Sequence, residues 1–218
     1  MLEKMDAFFE KRLDGYDEHM LTEIESATEF YPFTASLLPQ EPDAHVLDLG
    51  CGTGLELEFY FRLNPLAKVT GIDLSAGMLE ALRRKFPQQD VALVCGSYFD
   101  VPLEVNAYDA AVSVESLHHF TKAEKQPLYT KLCRALKPGG IFVLTDYFAS
   151  SDEDEAHWRS ELIRMKREQG IADDAFYHYD TPLTVAHETE ALLAAGFTSV
   201  EQLGHWENTY TLRAVKAR

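Results

Sequence analysis

Residues 46–54 read Val-Leu-Asp-Leu-Gly-Cys-Gly-Thr-Gly, an apolar strand running into a turn with a glycine at every second position. A helical pattern follows. Nineteen residues after Gly54, a second apolar run, Val69-Thr70-Gly71-Ile72, ends in Asp73. Strand, glycine turn, helix, strand and terminal acid are the layout of a nucleoside-binding βαβ unit.

The glycine spacing narrows the nucleoside. A dinucleotide fingerprint is Gly-x-Gly-x-x-Gly, whereas the glycines here fall at 50, 52 and 54 and Leu55 takes the dinucleotide position. Asp48 precedes the turn and would face the polar end of the ligand. A pyrophosphate there meets a like charge, at a cost that grows as water leaves. S-adenosylmethionine suits the turn better, because it carries an ammonium and a sulfonium and no phosphate.

From here the chain resembles the class I S-adenosylmethionine-dependent methyltransferases of small-molecule type. Asp48 to Gly54 is similar to their first motif, and Asp73 to the acid that binds the ribose hydroxyls. Cys95-Gly96-Ser97-Tyr98-Phe99-Asp100 resembles the segment bordering the adenine. The run from Tyr108 to Phe120 resembles their fourth strand and its loop, and Leu136 to Asp146 the turn into the fifth strand. The match covers roughly residues 42–147. The resemblance implies an α/β fold, a Rossmann-like seven-stranded sheet. The sheet is mostly parallel with an antiparallel last strand and has helices on both faces.

The periodicity agrees with that order. Apolar residues at helical spacing between 3 and 38 predict two or three helices ahead of the sheet. Strands are expected at 44–49, 68–73, 90–95, 108–114 and 140–146, with helices at 52–63, 75–86 and about 121–136. Alternation of strands and helices implies a parallel sheet covered on both faces. Ser75 is expected to cap the helix after it, and Pro138-Gly139-Gly140 to stop the helix before strand 5. Thr181 or Thr184 is expected to cap a late helix ending at Gly196, and two runs at 200–206 and 210–215 to form a terminal hairpin. The expected organisation is a helical cap (1–40), a cofactor-binding core (41–147), a helical insertion on the substrate side (148–187) and a helix with hairpin completing the sheet (188–218).

The resemblance assigns roles by position. Gly50, Gly52 and Gly54 let backbone amides approach the methionine portion of S-adenosylmethionine, and Asp48 faces its ammonium. Asp73 accepts both ribose hydroxyls. Leu74 and Met78 sandwich the adenine, with Ser97 and Tyr98 along its edge. Ser97 stands where relatives commonly carry an acid, so that contact falls to backbone or Asp100. The Val114 carbonyl receives the ammonium, and Tyr16 closes over the cofactor.

His118 and His119 follow strand 4 at the rim where an acceptor approaches, and imidazole titrates near neutrality, so they are the candidate catalytic bases. Tyr147, His157, Arg164, Tyr177, His178 and Tyr179 are further candidates for an acceptor pocket. Residues 178–184 are also similar to enzymes that make or use carboxy-S-adenosylmethionine in wobble-uridine modification of transfer RNA. Such a cofactor wants an arginine near the sulfonium, and Arg159, Arg164 and Arg213 have no assigned place. A non-catalytic regulatory protein binding S-adenosylmethionine or S-adenosylhomocysteine is the other alternative.

A net charge of −16 argues against nucleic acid as a partner, since phosphate binding depends on lysine and arginine. No apolar run reaches spanning length and no signal region opens the chain, so a cytoplasmic protein without membrane contact is expected. Cys51, Cys95 and Cys133 lack metal-type spacing, and each is expected to be a buried thiol; no metal site is expected. The acidic run 151–155 reads as the solvated start of a helix. The expected partner is a small-molecule methyl acceptor; a homodimer through the N-terminal helices or hairpin is an expectation that no sequence motif carries.

Overall fold

Three short helices precede the sheet in the computed structural model, which describes residues 1–172 and 176–218. They are α1 (Met5–Lys11), α2 (Tyr16–Glu23) and α3 (Ala27–Ser36). Then follow β1 (His45–Leu49), α4 (Leu55–Leu63), β2 (Lys68–Asp73), α5 (Ala76–Lys85), β3 (Asp90–Cys95) and β4 (Tyr108–Val114). A 3-10 turn at Leu117–His119 leads to α6 (Lys122–Ala135) and β5 (Leu136–Tyr147). The chain ends with α7 (Asp152–Glu168), α8 (Val185–Ala194), β6 (Phe197–Trp206) and β7 (Thr209–Lys216).

The seven strands lie in the order β3-β2-β1-β4-β5-β7-β6, with β7 antiparallel to both its neighbours. Order reverses beside β1, so the carboxyl ends of β1 and β4 open a crevice between them, where open α/β sheets bind ligands. Successive side chains on each strand feed opposite faces. Val46, Val69, Ala110 and Val112 pack with α3, α4 and α5, while Leu47, Leu49, Ile72 and Ala111 pack with α6 and α8. That double burial explains why the strands are nearly continuous in apolar residues.

Several local expectations hold atom by atom. The Ser75 hydroxyl oxygen accepts from Met78 N (3.1 Å), and that of Thr184 accepts from His187 N (3.3 Å). Ser151 caps α7, whose first turn holds Asp152, Glu153, Asp154 and Glu155 and whose residues are all at least partly exposed. Among the described residues no helix is long and apolar enough to cross a membrane.

Three expectations need correction. Helix α6 stops at Ala135, before Pro138, and β5 begins at Leu136, because Tyr108 pairs with Leu136 and a register shift absorbs the Pro-Gly-Gly run. Gly139 takes φ +77° there. Cys95 is exposed, since it ends β3 at the sheet edge where no strand covers it. In the insertion, α7 is followed by non-helical chain at 176–184, and residues 173–175 lie outside the described residues.

The N-terminal helices are tied over the crevice. Ser75 Oγ donates to Glu10 Oε2 (2.5 Å), joining α1 to the start of α5. Asp17 of α2 accepts from the Thr53 hydroxyl and from Lys85 Nζ (2.6 Å).

Candidate functional site

The glycine turn is shaped by two close approaches. Gly50 has φ +73°, and a Cβ there would lie 2.1 Å from Ser116 Oγ, so only glycine lets the first turn meet the loop after β4. Gly52, at φ +48°, has nothing within 4 Å of a built Cβ, so its face is open, and its N–H donates to Asp73 Oδ2 (2.9 Å). Asp73 Oδ1 accepts from Ser75 N (2.8 Å). Burial pushes the Asp73 carboxyl up against the lowering effect of these amides. Each carboxylate oxygen has a further lone pair to offer.

A narrow groove of about 50 Å³ runs past this turn, lined by Tyr16, Gly50, Gly52, Asp73, Leu74, Met78, Tyr98, Val114 and His119 among others. Met5 and Phe9 of α1 cover it. Tyr98 is positioned by its neighbours: its hydroxyl lies 3.2 Å from Ser116 Oγ, and Lys131 Nζ donates to the carbonyls of Tyr98 (2.7 Å), Phe99 (2.8 Å) and Val101 (2.9 Å). Lys131 carries no sequence signal, because it acts from α6 on a loop some 30 residues earlier in the chain.

Asp48, Gly54 and Ser97 fall outside the groove lining. A Cβ on Gly54 would meet Leu82 and Phe86, so this glycine serves the packing of α4 on α5. Ser97 Oγ accepts from Phe99 N (3.2 Å) within its own loop. Asp48 is 1% exposed and faces the carboxyl of Glu56, itself 5% exposed. Burial raises both acids, and the charge of Glu56 raises Asp48 further.

This pair yields a stability prediction. A carboxyl raised in the fold binds more protons than in the unfolded chain, so its contribution to stability falls as pH rises above about 4. Glu56→Gln is therefore expected to stabilise the ligand-free protein by about 1–3 kcal/mol near pH 8, with a smaller gain near pH 5. Thermal melts at both pH values check this, and an equal or lower melting temperature at pH 8 would refute it.

The groove opens into a cavity of about 870 Å³ bounded by α1, α2, the loop after β4 and the β6–β7 turn. Phe9, Tyr16, Glu115 and His119 line both spaces. Glu115 sits at φ +49°, a strained conformation for a non-glycine residue, and its N–H donates to Thr145 O (2.9 Å). Burial and the charge of Asp146 push its carboxyl up to about 8. Asp73, Glu56, Glu115 and Asp17 all act on Tyr16, so its surroundings are acidic.

His118 and His119 lie on the 3-10 turn, both buried, with rings 4.0 Å apart. His118 Nδ1 is 2.5 Å from Asp146 Oδ1 at the end of β5. Burial pulls this imidazole down, but Asp146, Asp180 and Glu115 outweigh it and hold it at about 9, so it is an imidazolium at neutral pH. Burial and the charge of His118 lower His119, which is neutral there. Asp180 is the partner that local pattern does not single out: its Oδ1 lies 3.5 Å from His118 Nε2 and 3.1 Å from His119 Nδ1. Burial raises Asp180, yet the three imidazoles around it outweigh burial and hold it well below the usual range.

Of the remaining acceptor-pocket candidates, Tyr147 and His178 line the cavity, while His157 gives way to Trp158. Tyr177 instead bridges to Lys4. Arg164 pairs with Glu161 and Glu168 on the outer face of α7, and Arg213 with Glu201 (2.6 Å).

A family model described as a methyltransferase domain matches residues 46–140. The chain is 33% identical over 202 residues to the carboxy-S-adenosyl-L-methionine synthase of Wolinella succinogenes, covering 84% of this chain and 80% of that one. It is 30% identical over 130 residues to 24-methylenesterol C-methyltransferase 3 of Arabidopsis thaliana, covering 56% of this chain but 35% of the plant protein. The chain thus spans about a third of that relative. Human N-acetylserotonin methyltransferase, solved with S-adenosylmethionine, shares the fold at 18% identity and a TM-score of 0.63, covering 88% of this chain and 53% of the human one.

Proposed function

Because the chain belongs to the class I S-adenosylmethionine-dependent methyltransferase family, we propose that it transfers the methyl group of S-adenosylmethionine to an oxygen, nitrogen or carbon of a small molecule. One observation carries this reading. The groove along the glycine turn and Asp73 shares Phe9, Tyr16, Glu115 and His119 with a cavity of about 870 Å³, a size that suits a small molecule. A cofactor whose ribose meets Asp73 and whose adenine lies by Leu74, Met78 and Tyr98 directs its sulfonium toward that shared wall.

Transfer from a sulfonium is an in-line displacement, so alignment and exclusion of water supply much of the acceleration. The acceptor's lone pair attacks the methyl carbon as the carbon–sulfur bond breaks, and S-adenosylhomocysteine leaves. His119 is neutral and stands in the shared wall, where it can hydrogen-bond an acceptor or take its proton. His118 is held by Asp146 and serves to position the turn.

The test is a calorimetric titration with S-adenosylmethionine, followed by incubation with fractionated small-molecule extract and mass spectrometry. Micromolar binding, accumulation of S-adenosylhomocysteine and a product heavier by one methylene are expected. The similarity to a carboxy-S-adenosylmethionine synthase favours one second reading. A carboxylated cofactor in the same spectra would establish it, whereas binding without any turnover would point to a regulatory protein.

A further inference from the structure

Together with Asp180, the two histidines also form a set of metal-type donors. One ligand atom from each of His118, His119 and Asp180 lies within 4.8 Å of the other two. A tetrahedral ion with bonds of about 2.1 Å separates its ligands by about 3.4 Å. The 3.5 and 3.1 Å distances from Asp180 to the two rings bracket that spacing.

Three features mark a built site. His118 presents Nε2 to the cluster while its Nδ1 is engaged by Asp146 at 2.5 Å, so an ion that displaces the Nε2 proton of this imidazolium finds a ring already oriented by a carboxylate. His119, 7% exposed, has its Nδ1 3.1 Å from Asp180 Oδ1. Asp180 is held against the turn by its neighbour, since Thr181 N donates to His118 O (2.8 Å). Asp180 is half exposed on the cavity side, so the remaining coordination positions face the cavity.

We propose that His118, His119 and Asp180 bind a divalent transition-metal ion whose open positions take an oxygen of the molecule in the cavity. Two imidazoles and one carboxylate suit zinc, cobalt, manganese or iron(II), and three protein ligands on one side leave room for an exogenous one. The ion draws the acceptor to the wall where the sulfonium arrives, which narrows the acceptor class to molecules with a hydroxyl or carboxylate near the methylated atom. That narrowing rests on the methyl-transfer reading; the binding of the ion does not.

Tag-free, metal-stripped protein titrated with cobalt(II) tests this, with visible absorption and equilibrium dialysis as readouts and S-adenosylmethionine binding measured in parallel. One cobalt per chain is expected, with a d–d spectrum of nitrogen and oxygen ligation that zinc displaces. Asp180→Ala, on a half-exposed segment, and His119→Gln are each expected to weaken the ion by at least about ten-fold. Asp180→Ala should leave S-adenosylmethionine affinity in place. Absence of saturable cobalt or zinc binding, or binding that both variants retain, would overturn the site. Loss of S-adenosylmethionine binding in the unmodified protein would instead strike the methyl-transfer reading.

Discussion

Glu188→Ala is expected to cost about 3–5 kcal/mol of folding stability, because it leaves a buried charge without its partner. Glu188 on α8 is 1% exposed and accepts from Lys125 Nζ on α6 at 2.6 Å, with Lys125 itself 2% exposed. The Tyr129 hydroxyl donates to the other carboxylate oxygen. Removing the acid strands an ammonium where water does not reach and leaves a buried phenol unpartnered. The double variant Lys125→Met with Glu188→Leu should recover most of the loss, because two apolar side chains remove both charges together. Denaturant unfolding of the three proteins gives the comparison. A loss below about 1 kcal/mol in Glu188→Ala would mean that solvent reaches the pair. The same pair holds α8 against α6.

Asp73→Ala is expected to raise the dissociation constant for S-adenosylmethionine by about 10- to 100-fold, the loss of charge-assisted hydrogen bonds worth about 1.5–3 kcal/mol. Asp73 already holds the turn through Gly52 N and Ser75 N, so its removal takes away both the ribose acceptor and a support of the turn. Asp73→Asn separates the two roles, because one oxygen still accepts an amide while the charge is gone. Calorimetric affinities near wild type in a folded Asp73→Ala protein would remove the ribose assignment. An intermediate affinity in Asp73→Asn would show that charge and turn support both contribute.

Much of the scaffold is legible in the residues alone. The succession of strands and helices along the core follows from apolar runs alternating with helical periods, and Ser75 and Thr184 cap their helices as their hydroxyls suggest. The turn at 50–54 and Asp73 meet as the βαβ spacing requires. Strand 5 begins four residues before its expected start, because local turn chemistry at Pro138-Gly139-Gly140 yields to pairing with Tyr108. Cys95 departs from the expected burial because an apolar strand pattern does not reveal which strand lies at the edge.

The sequence by itself determined the elements, their order and the cofactor turn, since these rest on periodicity and residue preferences within a few positions. Only the tertiary structure decided that Asp48 meets Glu56 in the interior, that Lys125 meets Glu188, and that Asp180 comes to His118 and His119. Those contacts join helix faces and loop ends up to 63 residues apart. No local period encodes them, because they are selected by how whole elements close over one sheet.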